Sequence, residues 1–316
     1  MKKIGSLKVE NGAFLAPMAD YTNVAFRTLC REYGSVLNYT ELISCKSIIY
    51  KNSKTIKMLK VSEKEKPVFL QLFGSEANDF EKAIEIVEQK FPNNFAGYDL
   101  NCGCAVPKAL KGKYGVYLMD HPKLVGKIIA SMKKSTKKPV TIKMRTGREK
   151  ENFLAVAKEA EKNGVDAICL HARLGSQGYS GKSDWDKIKK IKKAVGVPII
   201  GNGDVESVLD YERMIKETAC DFVMVGRASI GNAFLFKQIT QFVHGKKISG
   251  RTKKDFFAEG KRYFELAQEF SLGVNDLRAY FIGFATGFIG AKQMRNEFAL
   301  SKSITEMEKV FEKHFS

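Results

Sequence analysis

Between residues 13 and 225 the chain alternates eight short apolar runs with segments whose apolar positions fall three or four apart. The runs occupy 13–18, 36–43, 67–73, 97–101, 139–145, 166–171, 198–201 and 221–225. Most are nearly continuous in apolar residues, as strands buried on both faces are. The segments between them read as helices. Phe80, Ala83, Ile84, Val87 and Phe91 share one helical face behind a capping-box-like Asn78 and Glu81. A second helix over 152–162 stops at Asn163-Gly164, a left-handed C-terminal cap. Eight strand–helix repeats predict an α/β fold, a parallel (β/α)8 TIM barrel. An open doubly wound sheet is the competing architecture, but no Gly-x-Gly-x-x-Gly turn follows the first run.

After Phe242-Val243 the pattern changes. Residues 244–254 are basic, contain glycine and read as a turn, so a boundary is placed there. This gives a catalytic barrel over 1–243 and a C-terminal helical-bundle domain over 244–316. The latter has amphipathic helices at 256–270, 275–289 and 304–315. Lys292, Arg295 and Lys302 gather around the connection between the later helices.

The carboxyl ends of the runs carry polar or special residues in series: Met18, Glu41, Gln71, Asn101, Lys143 with Arg145, His171 with Arg173, Asn202 with Asp204, and Gly226 with Arg227. In a barrel these converge on the rim where active sites sit. Gly201-Asn202-Gly203-Asp204 and Gly226-Arg227 follow the seventh and eighth strands. There glycines admit an anion to backbone N–H groups, and Arg227 adds a full charge. Lys143 and His171 point toward the centre of the rim; Lys143 either stabilises charge on a bound ring or pairs with Glu41 or Asp99. Gln71 offers both donor and acceptor to a planar heterocycle, and Ala16-Pro17-Met18 forms an apolar shelf. As a set they outline a pocket for a phosphorylated flat cofactor. The loop after the fourth run presents Cys102 and Cys104. Two thiols without further ligands at suitable spacing make a poor metal site, so no metal is expected. Cys30, Cys45, Cys169 and Cys220 lie among apolar neighbours and read as packing.

Composition narrows the partners. The 316 residues are 44% hydrophobic and 28% charged, which describes a globular chain with a full core. No apolar run approaches the roughly twenty residues of a membrane span, and no signal-peptide pattern opens the chain, so a cytoplasmic protein is expected. Lys and Arg number 53 against 35 acidic residues, a formal net charge of +18. A field of that sign favours a polyanion, above all nucleic acid; the plainer reading is a lysine-rich surface. The lysines at 133, 134, 137 and 138, and those at 187, 189, 190, 192 and 193, read as solvated faces.

Several stretches together resemble the tRNA-dihydrouridine synthases, a flavoprotein family. They are residues 16–23 (Ala-Pro-Met-Ala-Asp-Tyr-Thr-Asn), Gln71-Leu72-Phe73-Gly74, Asp99-Leu100-Asn101-Cys102-Gly103-Cys104, Lys143-Met144-Arg145 and His171-Ala172-Arg173. Residues 178–185 (Gly-Tyr-Ser-Gly-Lys-Ser-Asp-Trp), Gly201-Asn202-Gly203-Asp204 and Gly226-Arg227 complete the set. The resemblance implies FMN-dependent reduction of uridines in tRNA, with NADPH as reductant, hydride to C6 and a proton to C5 from Cys104. It places FMN on Pro17, Met18, Gln71, Lys143, His171, Asn202, Gly203, Asp204, Gly226 and Arg227, and the uracil or its nucleotide on Asn101 and Arg173. The helical domain would hold tRNA, and the enzyme would act as a monomer. A thiol with pKa ~8.5 is mostly protonated at neutral pH and suits the acid's role. An FMN-dependent reductase of a small enone or free pyrimidine is the alternative. The chain departs from the family at Ala105-Val106, which separate Cys104 from Pro107. It departs again at 112–117, at Arg278-Ala279-Tyr280, and at Thr286, where a lysine is common.

Overall fold

The computed structural model describes residues 2–286 and 290–315. Eight parallel strands close on one another: β1 (Ala13–Leu15), β2 (Asn38–Tyr39), β3 (Val68–Phe73), β4 (Gly97–Cys102), β5 (Val140–Gly147), β6 (Ala167–Leu174), β7 (Ile199–Asn202) and β8 (Phe222–Val225). β8 pairs with β1, and the seam between β1 and β2 is held by Leu15 N–H to Leu37 O and Val36 N–H to Ala13 O, both 3.0 Å. Helices fill the crossovers, so the architecture is a TIM barrel followed by four C-terminal helices.

The two-residue period of the strands sorts the side chains into two cores. Phe14, Phe69, Ala167, Cys169, Ile200, Phe222 and Met224 fill the barrel interior. An antiparallel hairpin, Lys2–Ile4 with Leu7–Val9, adds Ile4 and Val9 to that interior. Residues of the opposite parity, such as Leu70, Leu72, Tyr98, Leu100, Cys102, Ile142 and Met144, pack outward against the helices. Above the apolar interior, the inward positions turn polar in register. Gln71, Asp99 and Thr141 lie abreast on β3, β4 and β5, and Asn101 lies beside Lys143 one step higher. Arg145 is abreast of His171, which is abreast of Asn202.

Local differences from the sequence reading have identifiable causes. The second run is broken: after Asn38–Tyr39 the strand resumes only at Ile43–Ser44. In the gap Thr40 Oγ1 accepts from Gln71 N–H at 3.1 Å, taking over a ladder position. Asn78 caps nothing. The helix begins two residues earlier than a cap at Asn78 would set it, as Ala77–Lys90 with Glu76 at the cap position, and Glu81 instead holds Ser131 and Lys134. Lys133, Lys134 and Lys138 do not merely face solvent: they pair with Asp166, Glu81 and Glu88 and tie neighbouring crossovers together. Lys187 and Lys192 likewise pair with Glu151 and Asp221.

The C-terminal helices are Lys253–Glu269, Val274–Phe284, Ala291–Leu300 and Ile304–Phe315. The first starts at a true capping box, Thr252 with Asp255. The helix expected over 275–289 ends at Phe284, and positions 287–289 lie outside the described residues. Ala291–Leu300 was not anticipated. Rings of Tyr263, Tyr280, Phe281, Phe284 and Phe311 form one aromatic cluster, and Phe26 of the first barrel helix joins it, 5.4 Å from Tyr280. Among the described residues, no helix is long and apolar enough to cross a membrane.

Candidate active site

The rim holds a cavity of about 550 Å3, with Pro17, Met18, Asn101, Cys104, Lys143, Arg145, His171, Tyr179 and Arg227 in its wall. Gly283 and Thr286 of the C-terminal region reach its mouth. A narrower pocket of about 80 Å3 continues from it, sharing Pro17, Met18, Lys143, His171, Tyr179 and Arg227 and adding Asn202, Gly203, Asp204 and Gly226. Of the residues expected at a site, all but Gln71 line one or both of these spaces.

The narrow end brings Gly203, Asp204, Gly226 and Arg227 together. Gly203 has φ +114°, and a Cβ there would stand 2.3 Å from Ser183 Oγ, so only glycine serves. Asp204 follows at φ +55°, a conformation that costs a non-glycine residue about 1 kcal/mol or more. Arg173 holds it there: Nη2 lies 2.8 and 2.7 Å from the two carboxylate oxygens, and Ser183 N–H donates at 2.7 Å. Burial alone would raise the Asp204 carboxyl; the Ser183 N–H and Arg173 outweigh it and hold it below its ordinary value. Among the described residues, the backbone N–H groups of Asp204, Gly226 and Arg227 lie beyond the strand ladder and meet no acceptor in the surrounding turns. Ser183 Oγ is buried without a partner beside Gly203. Arg227, half exposed, lies over the Tyr179 ring at 4.3 Å.

Lys143 sits between the two spaces. Its Nζ donates to Asn202 Oδ1 at 3.0 Å, and Asn202 Nδ2 donates to Met224 O. Neither Glu41 nor Asp99 pairs with it: Glu41 accepts from Asp20 N–H instead. Burial lowers the Lys143 ammonium. His171 is pushed down to about 2 by burial first, then by Lys143, Arg145, Arg173 and Arg227. It is neutral at physiological pH. A guanidinium can only donate, so the 3.2 Å contact from Arg173 Nη1 makes His171 Nε2 an acceptor and puts the ring proton on Nδ1.

The two thiols separate cleanly. Cys102 has the parity of Tyr98 and Leu100, is fully buried, and burial raises its pKa. Cys104 lies two residues on, past the strand end, half exposed in the cavity wall. Its N–H and that of Gly103 donate to Asn101 Oδ1 at 3.1 and 3.2 Å, and its carbonyl accepts from Val116 N–H at 2.9 Å. Gly115, at φ +63°, lets that loop close: a Cβ would fall 2.5 Å from Cys104 O. Ala105-Val106 lead into a short helix, Pro107–Lys111, with proline at its first turn.

Gln71 is fully buried one layer below the cavity, its amide bonded to Asp99 and Asn101. Arg173 has its nitrogens taken by Ser180 O, Gly181 O, His171 and Asp204, so it braces the site from behind. Three residues that the sequence places in rim or motif stretches without a role at the site have one here. Asp99 anchors the Gln71 amide. Arg145 bonds Gly103 O, Leu174 O and Gly178 O, and so clasps the Cys104 loop to the loop bearing Tyr179. Tyr179, though exposed, lies between Arg145 and Arg227 and touches both spaces. Strand parity signals the first two; Tyr179 carries only its place in a glycine-rich loop. Among the described residues, no group of three or more His, Cys, Asp or Glu side chains could hold a metal ion.

Comparison with known proteins agrees with this geometry. The family model for dihydrouridine synthase (Dus) matches residues 14–316. A probable tRNA-dihydrouridine synthase of Aquifex aeolicus is 42% identical over 230 residues, 72% of each chain. The tRNA-dihydrouridine synthase B of Pasteurella multocida is 33% identical over 248 residues, 78% of this chain and 74% of that one. Among solved structures, an old yellow enzyme homologue from Zymomonas mobilis superposes with a TM-score of 0.55 at 13% identity, covering 81% of this chain and 94% of the other. A 2-naphthoyl-CoA reductase complex gives 0.61 at 12% identity, covering 78% and 52%. At such identities the structures share the barrel and no more. The family match spans the barrel, the thiol-bearing loop and the C-terminal helices alike: this chain belongs to the dihydrouridine synthase family.

Proposed function

We propose that this chain reduces selected uridines of tRNA to 5,6-dihydrouridine, with FMN as its bound cofactor and NADPH as the reductant. The observation that carries the reading is the placement of Cys104. Its thiol lines a cavity of about 550 Å3 that narrows into the anion-binding end at Gly203, Asp204, Gly226 and Arg227. The unmatched N–H groups there, with the Arg227 guanidinium, suit the FMN phosphate. Pro17 and Met18 would flank the ring, with Lys143, His171 Nδ1–H and Asn202 at its polar edge. Gln71 would support that edge from beneath. When bound, the flavin supplies a hydride to C6 of the uracil.

The rest falls to the protein. Saturating the C5=C6 bond also needs a proton at C5. Cys104 Sγ–H gives it as the S–H bond breaks and the C5–H bond forms. The thiolate left behind regains a proton from water through the open mouth. Asn101 keeps one Nδ2 hydrogen free of Gln71 for the uracil or its nucleotide. The base must leave its stack to reach this depth, and a net charge of +18 favours the polyanion that carries it. Residues 244–316 would form the tRNA-holding domain, reading shape and phosphates more than sequence, with Gly283 and Thr286 at the entrance. We place the enzyme in the cytoplasm as a monomer.

A small-enone or free-pyrimidine reductase would share the barrel and the phosphate site but would need neither the charge nor the appended helices. Reoxidation of the reduced protein by unmodified tRNA and by free uridine separates the two. Rapid return of the flavin absorbance with tRNA, and none with uridine, is the expected result. Equal rates, or a purified protein with no flavin absorbance, contradict the proposal.

A further inference from the structure

Beneath the cavity floor runs a chain of hydrogen bonds whose direction is set at one end. Thr141 Oγ1 donates to Asp99 Oδ1 at 2.5 Å, and Gln71 Nε2 donates to Asp99 Oδ2 at 2.7 Å. A carboxylate can only accept, so the Gln71 amide has to present its nitrogen to Asp99 and its oxygen to Asn101. Asn101 Nδ2 donates to that oxygen at 2.8 Å, which turns Asn101 Oδ1 toward the N–H groups of Gly103 and Cys104. Asp99, Gln71 and Thr141 are each fully buried.

We propose that Asp99 is a positioning residue for Cys104, its carboxylate fixing the polarity of the Gln71–Asn101 relay so that the thiol-bearing turn stays closed. The inference rests on Cys104 as the proton donor, but its main readout does not. With the relay reversed, Asn101 would offer a donor to two backbone donors, and the turn at Gly103-Cys104 would open. Burial raises the Asp99 carboxyl to about 6, against the Gln71 and Thr141 hydrogen bonds and the Lys143 charge that favour its ionised form. Tyr39, Cys102 and Cys169 also feel its field, and Asp99 opposes their ionisation.

The test swaps the polarity and then restores it. Asp99→Asn lets the relay run either way. In the double variant Asp99→Asn/Gln71→Glu, the amide introduced on β4 donates to the carboxylate introduced on β3, which still accepts from Asn101. Both charge and direction are then preserved. Cys104 is the one half-exposed thiol among six cysteines, the other five being buried, so iodoacetamide reports on its loop selectively. We expect Asp99→Asn to speed alkylation of Cys104 about tenfold and slow tRNA reduction by at least as much, the scale of one net hydrogen bond. The double variant should return both altered rates to within about threefold of the parent. If Asp99→Asn does not accumulate folded, the double variant alone decides: parent-like alkylation supports the relay. Parent-like alkylation in Asp99→Asn, or a folded double variant whose Cys104 reacts as fast as in the single, overturns it. Alkylation that follows this pattern while tRNA reduction is indifferent to Cys104 would keep the relay and reject the thiol's role as acid.

Discussion

Lys143 Nζ donates to Asn202 Oδ1 at 3.0 Å, and among the described residues no carboxylate lies within ion-pair distance of that ammonium. A half-buried cation at the cavity wall, served only by an amide oxygen, costs stability, and desolvation correspondingly lowers its proton affinity. The cost is repaid when an electron-rich group sits above it. Lys143→Met should therefore leave the flavin-free protein as stable as the parent, or more stable by about 1 kcal/mol or more in urea unfolding. It should slow tRNA reduction by roughly a hundredfold or more. A marked loss of stability without loss of activity would make Lys143 a packing residue.

Arg227 holds no carboxylate closely, the nearest being Asp204 at 3.8 Å, and its guanidinium rests on Tyr179. Its exposure means that Arg227→Ala should change stability by no more than about 0.5 kcal/mol. Retention of FMN through gel filtration should fall, with a Kd weakened roughly ten- to a hundredfold, the scale of a charge-assisted phosphate contact. Unchanged flavin content would refute the phosphate assignment.

His171 ties stability to pH in a definite direction. Its folded value of about 2 lies below the ordinary 6.5, so under pH 6.5 the unfolded chain binds a proton that the folded chain refuses. The stabilisation is fully present above 6.5 and drains away as pH falls toward 2, at about 1.4 kcal/mol per pH unit. Between about pH 7 and pH 5, wild type should lose about 2 kcal/mol more unfolding free energy than His171→Gln. Parallel losses in the two proteins would show that His171 is charged in the fold.

Glu259 joins the C-terminal helices to the barrel. Fully buried, it accepts from Ala233 N–H, Phe234 N–H, Tyr280 Oη–H and Arg251 Nη2, and so caps the helix Phe234–Val243 from another part of the chain. Glu259→Leu would strand the Arg251 charge and two backbone donors, costing about 3–5 kcal/mol. Glu259→Gln should cost visibly less. Urea midpoints of the two variants check this, and equal costs would mean that volume rather than charge matters there.

Much of this was legible in the sequence because buried parallel strands are nearly pure apolar runs whose ends stand out. The rim residues follow from that alone; the choice of Cys104 over Cys102 comes only from the resemblance, although Cys102 shares the parity of Leu100. What escaped depends on neighbours across the sheet. That Gln71 meets Asp99, and not the cavity, requires the register of β3 against β4, which no single run contains. That Arg173 bonds Asp204, which follows the next strand, likewise needs the fold. The hairpin at Lys2–Ile4 and Leu7–Val9 is too short and too charged to show a period. The helix Ala291–Leu300 is hidden by having only Met294 and Phe298 as its buried positions.

The central claim is that one of two neighbouring thiols delivers the proton to the base. The most direct measurement is dihydrouridine formed in unmodified tRNA with NADPH, read by mass spectrometry of the digested RNA, for wild type, Cys104→Ala and Cys102→Ala. Cys104→Ala should keep its flavin and lose about 10²–10⁴ in turnover, while Cys102→Ala, which empties only a small buried volume, should stay near the parent rate. Equal loss in the two variants, or full turnover without Cys104, would contradict the account.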